Sequence, residues 1–380
     1  MHKTAHQRIA IGGRVHVAEW LCDTRAGQAV LADAYRDPRR PRCMCRGAGV
    51  EMYVGRRGST YYLSRMPGSG LLHEPACPSM EDLNLFSAAA DYADGAIVEL
   101  PDGSVQVRFD PAAERGENPT AVSLDGLLDL LLEISNLHAW SPQDNERGWC
   151  AVRERLGSAA RTIYLAGGAV LSSCLLLPGA FEKDTYQERK RLQESFLCVQ
   201  DAIRLVCAPL REIRPARYGW QIVLKHMPTS RIWMPRRVAE SMKARAQGTL
   251  DCSEASYPAL CLLQTRPTGN GGFAVTAGAL RRTDRRFVPC LTDAEARVAD
   301  TLAARQRRFV RPLRFDASWE RALADYALVE EGTAPIPIFV LATCGAPALD
   351  EAKRGTAAVF ARVLGVAHVW QNGGWWKRAP

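Results

Sequence analysis

Two short stretches, PRCMCRG (41–47) and LLHEPACPS (71–79), bring Cys43, Cys45, His73 and Cys77 into one region of the chain. Three thiolates and an imidazole complete a tetrahedral shell around zinc and leave no position for a reactive water, so such a site is structural. Residues two apart on a straight strand share a face but lie about 6 to 7 Å apart. Cys43 and Cys45 therefore reach one ion only if the chain bends, and Gly47 and Gly49 permit a bend there. Between the half-sites, VEMYVGRRGSTYYLSRM alternates around a Gly-Arg-Arg-Gly-Ser turn. This pattern predicts a β-hairpin that carries one half-site to the other. The alternative is a set of separate buried thiols with a surface histidine, which suits these turn-rich, arginine-flanked segments less well. A redox role is disfavoured, because Cys-x-Cys here lacks a helix start to lower a thiol pKa.

Twelve cysteines spread over 380 residues form no regular framework. They read as reduced thiols of a cytoplasmic protein, with the close cluster as the metal candidate. No N-terminal apolar stretch suggests a signal or transit peptide. The longest apolar run, from Ile163, is broken by Gly167, Gly168 and Pro178, which suits buried strands and no membrane partner.

The net charge of +8 is unevenly distributed. Arg36 to Arg65 carries eight arginines against Asp37 and Glu51, and Arg281 to Arg314 carries ten against four acids. Clustered guanidinium groups are the footprint of phosphate binding. The expected nucleic-acid contacts, DNA being the expected partner, are Arg39, Arg40, Arg42, Arg46, Arg56 and Arg57 near the metal region, and Arg281, Arg282, Arg285 and Arg286 in the second island. Solvated surface charge is the bland alternative.

The predicted fold is a multi-domain α+β chain. Residues 1–35 form an extension, 36–115 a zinc-stabilised β-hairpin module, 116–215 a helical region with buried strands, 216–290 a β-rich region and 291–380 an α/β unit. Leu124, Leu127, Leu128, Leu131, Ile134 and Leu137 recur at helical spacing behind Ser123 as N-cap. A second helix at GWCAVRERLGSAAR and the apolar strands after it suggest a winged-helix-like unit. Asp184 to Cys207 predicts one long helix, and Thr292 with Glu295 a capping box. No phosphate-binding glycine loop or nucleophile elbow is present.

The run PRCMCRGAGVEMYVGRRGSTYYLSRMPGSGLLHEPACPS, with HAWSP, FVRPLRFD and a C-terminal strand pair, resembles the bacterial family catalogued as domain of unknown function 1173. The likeness extends from about Arg36 onward and includes Cys43, Cys45 and Cys77. It implies a bacterial protein carried on plasmids or integrated mobile elements, and no activity.

The C-terminal quarter resembles a restriction-endonuclease-like core, in which an Asp at one strand and Glu-x-Lys on the next hold a divalent cation. Asp325 falls at the first position, but Ile336 to Thr343 contains neither acid nor lysine. Glu330 and Glu331 lie in the intervening turn and Lys353 on the following helix. Asp325 and Lys353 are thus the only weak catalytic candidates, and Asp325 can equally pair with an arginine. The expected role is that of a zinc-binding, non-catalytic nucleic-acid accessory factor. The alternatives are a metal-dependent nuclease and a zinc-stabilised adaptor for a protein partner.

Overall fold

A computed structural model of the chain describes residues 7–66, 69, 73–74, 77–79, 87–116, 118–144, 147–180, 182–199, 202–245, 257–269, 271–317, 323–329, 335–341, 350, 353–358, 361, 367–371 and 374–378. The fold is mixed α+β and divides into two compact units. One comprises Met1–Asn84 with Arg354–Ala367 and Arg378–Pro380, the other Leu85–Lys353 with His368–Lys377.

In the first unit, β1 (Arg8–Ile11) and β2 (Arg14–Val17) turn at Gly12 and Gly13, both at positive φ. Helices α1 (Ala18–Asp23) and α2 (Arg25–Arg36) follow, the second capped by Thr24 accepting from Gly27 N. Strands β3 (Arg42–Cys43), β4 (Val50–Arg57) and β5 (Thr60–Arg65) complete a five-stranded sheet of order β2-β1-β3-β4-β5. Alternation along β1, β3 and β4 sends Ile9, Cys43, Val50 and Met52 to one face, where they pack with Leu21 and Leu31. Residues 8–35 are therefore part of this core and not a separate extension. They supply two strands and both helices, without which the hairpin β4–β5 would have no apolar face to bury.

The second unit begins with the hairpin β6 (Ile97–Glu99) and β7 (Val105–Val107), then α3 (Leu124–Ile134), β8 (Ala139–Trp140), α4 (Trp149–Ala160), β9 (Ile163–Leu165) and β10 (Leu175–Leu176). Ser123 caps α3 as expected, accepting from Asp125 N and Gly126 N. Leu124 through Leu132 are all buried, the leucines in a large hydrophobic cluster and Asp125 and Asp129 against Arg281. The pairing does not support the winged-helix expectation: β9 joins β7 in parallel and forms no wing hairpin with it.

Helix α5 (Tyr186–Leu197) is shorter than predicted, because the chain re-enters as β11 (Leu205–Ala216). Leu205 to Ala208 are buried on both faces, and a continuous apolar run carries no period that separates helix from strand. Strands β12 (Gly219–Leu224) and β13 (Met227–Pro235), helix α6 (Arg236–Arg245), and strands β14 (Ala259–Thr268) and β15 (Gly272–Thr283) follow. Strand β11 pairs with β12 through its second half and with β14 through its first. The order β11-β12-β13-β15-β14 thus returns to β11 and closes a five-stranded barrel, with β13 and β15 parallel and the other neighbours antiparallel. Phe273, Ile232, Ile222, Leu263 and Met242 are among its interior residues. The β-rich region begins at 205, not at 216.

After β16 (Pro289–Cys290), α7 (Asp293–Ala304) leads into β17 (Phe309–Val310), β18 (Tyr326–Leu328) and β19 (Ile336–Leu341), and helical residues 353–358 precede β20 (His368–Gln371) and β21 (Gly374–Arg378). The sheet order is β21-β20-β19-β18-β17-β8, antiparallel from β17 through β19 and parallel from β19 to β20.

Candidate metal centre

Cys43 ends β3 and faces the buried side of the sheet opposite Ile9. Met44 N still donates to Arg8 O at 2.8 Å, and the chain then turns, with Gly49 N donating to Arg46 O at 2.9 Å. Gly49 sits at φ +69, and an added Cβ would lie 3.0 Å from that of Arg42, so the turn requires glycine there. This bend swings Cys45 back beside Cys43. On the other half-site, Cys77 N donates to Glu74 O at 2.9 Å, closing a turn that brings Cys77 next to His73.

The four side chains converge. Cys43 Sγ lies 3.6 Å from Cys77 Sγ, and His73 Nδ1 lies 3.4 Å from Cys45 Sγ and 3.6 Å from Cys77 Sγ. All four donor atoms lie within 4.8 Å of one another and could hold a metal ion. The amide of Gln7 donates to Cys43 Sγ at 3.3 Å and Ser79 Oγ at 2.6 Å, and Glu74 N donates to Cys45 Sγ at 3.4 Å. Arg46 ties the half-sites together through His73 O at 3.2 Å and Glu74 Oε1 at 3.2 Å. Burial pushes the Cys77 thiol up to about 12 and raises that of Cys45. Burial, with Arg65 and Arg46 adding to it, holds His73 below its ordinary value. Three crowded thiols beside a neutral imidazole lack a positive charge at their centre, which a cation would supply.

The remaining arginines of the first island lie at the surface. Arg39 pairs with Asp37, and Arg40 and Arg42 approach Glu51 at 3.8 and 3.2 Å, with half or more of each side chain exposed. Arg56 bonds Gly58 O at the hairpin turn, and Arg57 has no ion pair among the described residues.

The second island is used differently. Arg281 donates to Asp129 Oδ1 and Asp125 Oδ1 at 2.7 Å each and to Asp125 O at 3.2 Å. Burial penalises this guanidinium, but Asp129 and Asp125 hold its pKa raised. Arg281 is withdrawn from the expected phosphate contacts, because its donors already serve α3. Arg282 pairs with Asp293 at 2.9 Å and Arg286 with Asp300 at 2.7 Å, whereas Arg285 is exposed.

Asp325 and Lys353 meet. Lys353 Nζ lies 2.9 Å from Asp325 Oδ1 and from Val340 O, and Val340 N donates to Asp325 Oδ2 at 2.7 Å. Two further charges, not foreseen in the sequence, complete the group. Glu295 Oε2 accepts from Leu291 N at 2.7 Å and pairs with Arg311 Nη2 at 3.1 Å, while Arg311 Nη1 donates to Asp325 O at 2.5 Å. Burial would raise the Asp325 carboxyl, but Lys353 and Arg311 hold it below its ordinary value; burial raises that of Glu295. The Thr292 hydroxyl does accept from Glu295 N, but the Glu295 carboxylate turns inward instead of closing the capping box. Glu330 and Glu331 lie outside the described residues.

A family model described as protein of unknown function (DUF1173) matches residues 17–373. The chain belongs to the DUF1173 family. The match spans the four donor residues, the barrel and the Asp325 group, and begins after Gln7. No curated protein and no solved structure matches the chain. No helix among the described residues is long and apolar enough to cross a membrane.

Proposed function

We propose that this DUF1173 protein is a zinc-stapled nucleic-acid-binding protein that acts without catalysis, as an accessory factor in a bacterial mobile element. With Zn–S of about 2.3 Å and Zn–N of about 2.0 to 2.1 Å, a tetrahedral ion has S–S edges of about 3.8 Å and S–N edges of about 3.6 Å. The separations of 3.6, 3.4 and 3.6 Å fit those edges, and a three-sulfur, one-nitrogen set suits zinc among the common ions. Cys43, Cys45, Cys77 and His73 Nδ1 would hold it, with no ligand position left over.

The observation that carries the binding role is how the arginines around this cluster are divided. Arg46 locks the half-sites, whereas Arg39, Arg40, Arg42, Arg56 and Arg57 remain exposed on the same unit. Register puts Arg42, Tyr53, Tyr62 and Arg57 on the outer face of the sheet, where both tyrosines are more than a third exposed. Cations beside open rings suit phosphates and bases. In a mobility-shift titration at low salt the protein should retard DNA, and a double Arg56→Gln, Arg57→Gln variant should retard it more weakly. Absence of any shift at low salt refutes the reading.

One observation favours a nuclease reading. Glu295, Asp325 and Lys353 converge beside strands β17 to β19, antiparallel to one another, and β20, parallel to β19, which is the kind of pairing expected of a restriction-endonuclease-like core. Against activity, Arg311 and Lys353 already neutralise both carboxylates, and Glu295 and Asp325 are 1% and 3% exposed. Plasmid cleavage with Mg or Mn that disappears in Asp325→Ala would establish the nuclease; no such cleavage is expected.

A further inference from the structure

Among the described residues of the second unit, the exposed aromatic side chains are Tyr218, Trp220 and Trp233, of which Trp220 is opposed by buried Met234 and so faces away from Trp233. Tyr218 stands at the tip of the β11–β12 turn with Arg217 over its ring at 5.1 Å, and it is 82% exposed. Trp233 is on β13 and is 42% exposed. Open rings are costly on a surface that binds nothing, and Trp233 on the outer face of β13 with Tyr218 at the β11–β12 turn marks an interaction face.

The register shows what surrounds Trp233. Arg214 pairs with Gln221, Gln221 with Trp233, Trp233 with Ala274, and Ala274 with Arg266. Directly opposed residues share a face, so these five side chains form one row across all five strands of the barrel. A tryptophan lies at its centre and an exposed arginine at each end, two strands away on either side, or about 10 Å. The neighbours of the ring are a glutamine and an alanine, and the alanine leaves one side of the indole open. Arg231, two residues back on β13, points to the same face and is exposed. Arg231 and Arg266 have no ion pair among the described residues, whereas Arg214 is held by Glu212 at 2.5 Å.

The connectivity supplies the second argument. In the barrel the first strand is shared by two neighbours, the third and fifth strands run parallel, and helix α6 separates the third from the fourth. This is the plan of an OB-fold, whose second and third strands and whose turns between the first and second and between the fourth and fifth strands form a ligand face. Here those elements are β12, β13 and the turn carrying Tyr218, with the connection from β14 to β15 in the remaining place.

We propose that this barrel face binds single-stranded nucleic acid, with bases stacking on Trp233 and Tyr218 and phosphates meeting Arg231, Arg266 and Arg214. The row of cations about an open indole favours a polyanion with unpaired bases over a neutral oligosaccharide or a protein strand. Stacking also explains the preference for a single strand, since duplex bases present no free ring face. The inference rests on the nucleic-acid reading above but assigns a surface separate from the zinc-stapled hairpin.

The test is fluorescence anisotropy of the full-length protein with labelled oligo-dT and with a labelled duplex of equal length, at low salt. Tighter binding to oligo-dT is expected, weakened about tenfold by Trp233→Ala and largely retained by Trp233→Phe. Arg266→Gln should reduce the salt dependence of oligo-dT binding, and it covers the case in which Trp233→Ala fails to fold. Equal affinity for both probes with no effect of Trp233→Ala or Arg266→Gln, while Arg56→Gln, Arg57→Gln weakens both, overturns the inference and leaves the hairpin reading intact. No binding of either probe overturns both.

Discussion

Cys43 Sγ and Cys77 Sγ lie 3.6 Å apart although 34 positions separate them in the chain. That closeness joins the end of β3 to a turn lying beyond β5, and it is the contact a shared ion would enforce. Purified protein should carry about one zinc per chain, and Cys77→Ser should lose most of it. The variant should also unfold its first unit at lower urea, because metal binding and folding of such a region are coupled. Metal analysis beside urea unfolding checks both; full zinc retention in the variant would remove Cys77 from the ligand set, and wild-type protein free of zinc would argue for isolated thiols.

Arg281 is expected to be structural. Replacing it with glutamine leaves Asp125 and Asp129 buried beside one another without their main counter-charge. The cost should be roughly 3 to 5 kcal/mol in denaturant unfolding. DNA affinity of the folded fraction should be unchanged, which separates its role from that of Arg57.

Lys353→Met should destabilise by a similar amount, about 3 to 5 kcal/mol, because buried Asp325 and Glu295 then lose one of the cations that neutralise them. The double variant Lys353→Met, Asp325→Asn should recover part of the loss. Urea unfolding of the two variants measures the coupling directly.

Asp284 gives a pH dependence of defined sign. Burial raises its pKa to about 6, against the N–H donors of Val288 and Arg286 and the nearby Arg286 charge, with Asp300 adding to the rise. The unfolded value is about 3.9, so the native state binds more protons between about pH 4 and 6. This group's contribution is therefore favourable at low pH and is lost as pH rises through 6, by on the order of 2 to 3 kcal/mol. Asp284→Asn keeps an oxygen for both N–H donors and removes the titration. Its stability relative to wild type should increase from pH 4.5 to pH 7 in parallel urea titrations.

The metal region was the most legible part of the sequence, because cysteines and histidine between turn residues have few other uses. The α3 repeat and its Ser123 cap were equally clear. The barrel was not, since its closure depends on β11 serving two neighbours, and no local pattern announces a shared strand. The row Arg214, Gln221, Trp233, Ala274, Arg266 exists only once four registers are fixed. Glu295 was hidden by its position: three residues after Thr292 it reads as half of a capping box, and only the tertiary fold turns its carboxylate to Arg311. Charge counting located Arg281 to Arg286 correctly as an arginine cluster, but not the aspartates of α3 that lie more than 150 positions away and consume its first member.

Salt dependence reads out the arginine–phosphate contacts themselves. The affinity of full-length protein for labelled DNA should fall linearly on a log–log plot as salt rises, with a slope of several counterions. The double Arg56→Gln, Arg57→Gln variant should flatten that slope. Binding that is absent at low salt, or present with no dependence on salt, would contradict a nucleic-acid role carried by these arginines.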